Sequence, residues 1–439
     1  MKIKTLNFSF KKITGTLLIL EFLTRIVIFF TLPSQPSQFG PDEGTYGALA
    51  AWTEKGLPAK EFPLYGEGLY VSSRALIWPA AFLHQLGLSQ LDSVRLISSI
   101  YGQLVSVLII FVLYKSMKSS EKISKFVSES ALAAYLSLFV FIFLPSHFIW
   151  GTIGLRESAV EFWVVLTYSI VFWIFQIKKK IMALPLFLFV ISIVLTFNAR
   201  PQVGWVLCIS LLIYFLVTIK VKMSQLLLPI VLLSTVVGFQ TTTISTATNN
   251  STATNNSSGD SANLGSKLIG SLRATAEITA YRHKVNQLDA ESVIKTIGCP
   301  KDGMSLINKP PSSFDVYFCI AWRAPYMAST FLFRPILGVD VTSSASLYAA
   351  LENILWTGAL LYVLVIVAIR RRLDFFKQLL PSLIFFVLYV IGAGSYEGNM
   401  GTAFRHKSLI LWVIVFLVIS AYSTSLNRNK RSNSQESAV

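Results

Sequence analysis

The sequence predicts an all-α polytopic membrane protein, and three observations carry that prediction. Apolar residues make up 53% of the chain and charged ones only 14%, with a mean hydropathy of +0.60, whereas a soluble domain carries about a quarter charged residues. Apolar runs of the ~20 residues that a bilayer crossing requires recur along the chain. Lysines and arginines, which bring the net charge to +16, gather between those runs. The basic balance therefore follows the positive-inside rule and calls for a lipid bilayer as partner, with no nucleic acid.

Lys2, Lys4, Lys11 and Lys12 precede the first span, residues 13–32, and set the N-terminus in the cytoplasm. No cleavable signal peptide is expected, because no small-residue cleavage site follows. Glu21 and Arg25 sit one helical turn apart inside that span. Charge in lipid is costly unless paired, so they read as a helix-orienting pair facing the bundle. The first outer loop, 33–93, holds a short helix over 45–52, an irregular Gly- and Tyr-rich stretch over 62–70, and the amphipathic run 74–86. That run is too short, and too interrupted by Pro79, to span; it reads as a helix lying on the membrane surface.

The second span, 94–114, ends in Lys115, Lys118, Lys122 and Lys125. A third, 129–148, leads through a brief outer turn at 150–156 into a fourth that ends at Lys178, Lys179 and Lys180. The fifth, 181–197, emerges at Asn198–Pro201, the sixth returns to Lys220 and Lys222, and the seventh covers 226–241. Every loop assigned to the cytoplasm is rich in Lys or Arg, so the alternation is self-consistent. Residues 241–263 form a Thr/Asn/Ser tract that reads as a disordered linker. A polar outer segment, 264–341, follows, with a helix over 264–290 that caps the bundle. Three spans close the chain, at 344–369, 379–394 and 408–422. Arg370–Arg372 and the tail residues Arg428, Lys430 and Arg431 lie in the cytoplasm. The expectation is about ten transmembrane helices with both termini inside. They are organised as a core (1–241), an outer linker and cap (242–341), C-terminal helices (342–425) and a tail (426–439). Cys208 lies in an apolar run; Cys299 and Cys319 fall in the polar segment, where only an oxidising side would let them pair.

The chemistry concentrates in Phe39–Tyr46 (FGPDEGTY), just after the first span. Pro41 suits the first turn of a helix and acids beside it suit the positive end of that helix. Asp42 and Tyr46, four apart, share a face. On this topology Asp42, Glu43, Tyr46, Arg156, Glu157, Arg200, Arg282, His283, Arg334, Asn399, Arg405 and His406 all fall at outer loops or outer ends of spans. Outward arginines run against the positive-inside rule. Several of them beside two carboxylates point to an anionic ligand, a phosphate above all. His283 and His406 show no ligand spacing, so neither a metal nor another cofactor is expected, and the absence of Walker, GxGxxG and nucleophile-elbow patterns speaks against an ATP-driven transporter.

PDEGTY at 41–46 and RALIWPAAFLHQLGLSQLDSVRLISSIYGQLVSVLIIFVLY at 74–114 resemble the GT-C superfamily of membrane glycosyltransferases. The layout is similar to the protein O-mannosyltransferase and aminoarabinose transferase group, over about residues 10–220. FRPILGVDV (333–341) and NMGTAFRHK (399–407) resemble segments of bacterial polysaccharide-associated relatives. The resemblance implies a polyprenyl-phosphate sugar donor, a glycan, lipid or protein acceptor, and an active site on the outer face of a bacterial plasma membrane. It assigns the acid that acts near the acceptor to Asp42, with Glu43 beside it. No large C-terminal outer domain is expected from the sequence, which departs from that pattern. A carboxylate must take the acceptor's proton, and a cation must stabilise the departing phosphate, for which Arg200, Arg282, Arg334 and Arg405 are the candidates. Two other classes stay open. A lipid-linked oligosaccharide flippase should carry charge near mid-membrane and repeated halves, and neither stands out. A glycan polymerase or ligase would share the outer face and the lipid donor but need no Asp-Glu in the first loop.

Overall fold

The computed structural model describes residues 2–36, 42–62, 66–119, 131–174, 183–218, 325–326, 328–341, 343–370, 376–396 and 400–436. Among the described residues the regular structure is helical, with no strand. We number the α-helices α1 (Lys2–Thr31), α2 (Asp42–Glu54), α3 (Gly66–Val71), α4 (Arg74–Gln85), α5 (Gln90–Ser119), α6 (Ala131–Phe143), α7 (Pro145–Phe148), α8 (Arg156–Phe172), α9 (Ala183–Ala199), α10 (Pro201–Thr218), α11 (Ser344–Arg370), α12 (Phe376–Tyr396) and α13 (Met400–Glu436). Among the described residues five stretches, Lys12–Thr31, Gln90–Lys115, Pro201–Thr218, Ser346–Ala368 and Gly401–Ala421, are long and apolar enough to cross a membrane; Ala183–Ala199 and Leu379–Gly394 are apolar but shorter. By length and composition the chain is a multi-pass helical membrane protein. The seventh expected span, the 241–263 linker, the 264–290 helix, Cys299 and Cys319 lie outside the described residues.

The chain divides into two units: Met1–Leu232 with Ile354–Phe386 and Lys407–Val439, and Leu233–Asn353 with Val387–His406. In the first, α5 packs along α8, α8 along α9 and α9 along α10, while α2, α4 and α5 pack on one another and α1 lies on α5 and α6. Leu49, Phe62 and Ile77 form a small core between α2 and α4, edged by Trp52, Leu69 and Tyr70. Tyr168 of α8 meets Phe385 and Trp412, each at 5.4 Å between ring centroids, so the C-terminal helices join the same unit.

α1 is amphipathic in the sense that lipid demands. Glu21 and Arg25 are buried while Phe22, Leu23, Val27 and Phe30 are exposed. Apolar residues turned outward and charges turned into the bundle are what a helix in hydrocarbon requires. α4 shows a comparable stripe at spacing four: Trp78, Phe82 and Leu86 are exposed, while Leu76, Ile77, Ala80 and Ala81 are buried. The helix expected over 74–86 is present, with one apolar face exposed.

Five local features differ from the sequence reading. α2 begins at Asp42 rather than Thr45, because the two acids occupy its positive first turn. The stretch expected to be irregular over 62–70 contains the short helix α3. The expected third span stops at Phe143: Pro145 has no N–H to continue the helix and holds Leu144 extended, at φ −68° and ψ 137°. The brief turn expected at 150–156 is buried through Leu155, with its carbonyls claimed by Arg25 and Ser98. At the other end, α13 starts at Met400, so much of the expected turn at 395–407 is helical.

Candidate functional site

The first turn of α2 splits the two neighbouring acids between two fates. Glu43 points into the core and is fully buried. Its carboxylate meets the Arg95 guanidinium of α5 twice, Nε to Oε2 at 3.0 Å and Nη2 to Oε1 at 2.9 Å. Arg95 spends its remaining donors on the carbonyls of Pro33 (2.7 Å) and Gln35 (3.0 Å), fastening the segment before α2 as well. Gly47 allows this approach: a Cβ there would come within 3.0 Å of the Gln90 carbonyl oxygen. Asp42, one residue earlier and therefore about 100° around the helix, is exposed.

One turn beyond Asp42, Tyr46 is buried, and burial raises its phenol pKa above the ordinary value. Arg156 and Arg200 lower it, while Glu157 and Asp42 raise it further. Four charged groups therefore share the surroundings of one hydroxyl. Arg156 and Glu157 open α8, where Leu155 is extended and an acid suits the positive helix end. Arg156 Nη1 donates to Ser72 Oγ at 3.0 Å, tying α8 to the turn before α4. Arg200 sits at the break between α9 and α10: its N–H closes α9 on Thr196 O at 2.8 Å, and Pro201 starts the next helix, as suits a first helical position. Its Nη1 lies 3.5 Å from Glu157 Oε1, and both side chains are buried.

The arrangement gives an exposed carboxylate, Asp42, in the electrostatic company of two guanidiniums, a second carboxylate and a phenol that stays protonated. An exposed carboxylate can take a proton, and guanidiniums can hold an oxyanion. Among the described residues no group of three His, Cys, Asp or Glu is placed to hold a metal ion.

The remaining residues singled out from the sequence fall elsewhere. Arg334 belongs to the second unit, where it pairs with Asp340 through Nε to Oδ2 at 2.8 Å and through Nη2 to Oδ1. Asp340 Oδ2 also accepts the Ile336 N–H at 2.8 Å, and Asn353 Nδ2 donates to Pro335 O at 3.2 Å, so Arg334 closes a turn. Burial works against the Asp340 carboxylate, but the bond from Arg334, the Ile336 N–H and the Arg334 charge outweigh it and leave its pKa below the usual value. Arg405 and His406 lie in the first turns of α13 in that unit. His406 is buried, and its carbonyl accepts Tyr389 O–H at 3.2 Å. Arg282, His283 and Asn399 lie outside the described residues.

Sequence reasoning missed Arg95, the partner that removes Glu43 from the solvent. The available signal was a lone arginine at the first turns of an apolar helix. It also missed Ser106, His147 and Glu161, which join Glu21 and Arg25 in a buried cluster. A glutamate inside the apolar run around 161 was the visible sign.

The fold and the cluster thus define a multi-pass helical membrane protein with acids and arginines grouped around Tyr46. Comparison of the chain with known protein families, curated proteins and solved structures finds no match.

Proposed function

We propose that the protein is a membrane glycosyltransferase. It moves a sugar from a polyprenyl-phosphate donor to an acceptor hydroxyl on a glycan, lipid or protein at the outer face of the plasma membrane, with Asp42 as general base. The observation that carries this reading is the division of labour in the first turn of α2. Glu43 is consumed by Arg95, while Asp42 stays exposed within the electrostatic reach of Arg156 and Arg200 around Tyr46. The resemblance of 41–46 and 74–114 to GT-C enzymes supports the same assignment.

In the proposed reaction the acceptor oxygen attacks the anomeric carbon while Asp42 takes its proton. The bond from that carbon to the donor phosphate oxygen breaks, and the electron pair leaves with the phosphate. Arg156 and Arg200 are the cations that would offset the charge growing on that phosphate, since guanidiniums match phosphate oxygens. The apolar outer surface of the helices would take the polyprenyl tail. Arg334, engaged by Asp340, has no part in this assignment.

The test is to offer the purified protein in lipid nanodiscs a panel of radiolabelled polyprenyl-phosphate sugars together with envelope glycan, lipid and protein acceptors. Label moving from a lipid donor to an acceptor supports the reading. A protein that moves lipid-linked sugar across vesicle bilayers, but leaves every donor intact, is the flippase instead. One observation favours that second reading: Glu21, Arg25, His147 and Glu161 place ionisable groups inside the bundle, as transporters do.

A further inference from the structure

One turn along α8 from Glu157, Glu161 enters a second set of polar side chains that the proposed reaction does not use. Glu21, Arg25, Ser106, His147 and Glu161 are each 0–3% exposed. Glu21 is the tenth residue of the 20-residue stretch Lys12–Thr31, midway along a helix able to cross the membrane. The charge of Arg25 is already spent on Glu21: Nε and Nη2 both donate to Oε1, at 3.0 and 2.8 Å. Its Nη1 donates to Gly151 O at 2.9 Å and Thr152 Oγ1 at 3.2 Å. Gly102 and Gly151 make the slot, since a Cβ at either would come within 2.8 Å of the guanidinium.

Among the described residues Glu161 meets one polar partner, His147, whose Nδ1 lies 3.1 and 3.2 Å from its two oxygens. Ser106 has a single hydroxyl hydrogen, which it gives to Glu21 Oε1 at 3.1 Å. Its oxygen must then accept from His147 Nε2, 3.3 Å away. A neutral imidazole donates from one nitrogen only. With Nε2 donating to Ser106, the contact at Nδ1 needs a further proton, on the ring or on Glu161. That proton also balances the charge: two carboxylates against Arg25 would otherwise leave a net negative charge in an apolar interior, which is costly.

The elements packed here are α1, α5, α6, the 144–155 turn and α8. Among the described residues Glu21, Arg25, His147 and Glu161 are the titratable and charged groups they bring to the cluster; α6 contributes Phe141, whose ring stacks on His147 at 4.3 Å. No metal explains the grouping among the described residues. Glu21 Oε2 is buried and accepts no hydrogen bond among the described residues, so one oxygen of Glu21 is not engaged by Arg25 or Ser106.

We propose that Glu161, His147, Ser106 and Glu21 form a buried proton-binding site that holds one exchangeable proton between α8 and α1. The transfer step is balanced: Ser106 hands its hydrogen to Glu21 as it takes the one from His147 Nε2. The pair that was imidazolium and carboxylate becomes imidazole and carboxylic acid, with the net charge unchanged. This proposal goes beyond the glycosyltransferase reading and does not rest on it, since its test reads protonation rather than sugar transfer.

The test uses full-length protein in nanodiscs at neutral pH, with nitrogen-15-labelled histidine rings and infrared detection of protonated carboxylic acid. The chain has four histidines, so replacing His84, His283 and His406 by Gln leaves His147 as the one labelled ring. The expected result is an imidazolium at position 147, or a carboxylic-acid band that disappears in Glu161→Gln or Glu21→Gln. A ring with one bare nitrogen and no such band overturns the proposal. Because the decisive spectra come from the intact cluster, poor folding of the glutamate variants does not rescue the idea.

Discussion

Arg95 and Glu43 lie fifty-two residues apart in sequence and meet in the core through two parallel hydrogen bonds of 3.0 and 2.9 Å. That pair turns one acid of the Asp42–Glu43 dipeptide into a structural element and leaves the other to face outward. Removing one partner of a buried ion pair strands the other charge, at a cost of about 3–5 kcal/mol. Arg95→Ala is therefore expected to lower the stability of the protein in detergent by that amount. Replacing both residues by Leu should recover much of the loss, because a buried pair exchanged for apolar side chains is often close to neutral. Thermal unfolding of the two single variants and the double variant measures this. Losses that simply add would contradict the pairing.

Gly102 is expected to tolerate no side chain. An arginine on the surface would swing away from an added methyl group, but the Arg25 guanidinium is held by Glu21, Gly151 and Thr152. Gly102→Ala should cost about 1–3 kcal/mol, in the range of overpacked cores. In an Arg25→Ala background the same change should cost far less, since the obstructing group is gone. An equal penalty in both backgrounds, read from unfolding midpoints, would show that Gly102 is needed for another reason.

The Arg334–Asp340 turn predicts a local dependence on pH. Asp340 has a pKa held below the ordinary carboxylate value, so its contribution is present above the unfolded value of about 3.9. It is lost as pH falls through the lower folded value. Hydrogen exchange at the Ile336 amide, which donates to Asp340, should be slow at neutral pH and quicken on acidification below about pH 4 beyond the intrinsic rate change. Asp340→Asn should remove that extra acid sensitivity. If Arg334 instead serves a donor phosphate, Arg334→Ala will abolish sugar transfer while leaving this amide protected.

The sequence carried the class of fold and the outline of several elements, because hydrophobic length and basic loops are local properties. The helix expected at 74–86 occurs as α4 at Arg74–Gln85, and Asp42 and Tyr46 lie four apart on α2. Arg156, Glu157 and Arg200 were visible as unexpected charges at the ends of spans. Their grouping around Tyr46 depends on how α2, α8, α9 and α10 pack, which no periodicity encodes. Arg95 was invisible as a partner for the same reason: its pattern says only that it starts an apolar helix. Glu21 and Arg25 were legible as a pair at i and i+4. His147 was not legible as their neighbour, because the Leu144 break that delivers it to the core interrupts what reads as one continuous span.

The claim at the centre of this account is that Asp42 takes the proton of the acceptor, and Asp42→Asn tests it most directly. Asparagine keeps the shape and tolerates the start of a helix, yet it cannot accept that proton. The measurement is the rate of label transfer from a polyprenyl-phosphate sugar that the wild-type protein uses, alongside unfolding midpoint and donor binding for both proteins. The expected rate is about a hundred- to ten-thousandfold lower, with midpoint and donor binding unchanged. Transfer by Asp42→Asn at close to the wild-type rate would contradict it.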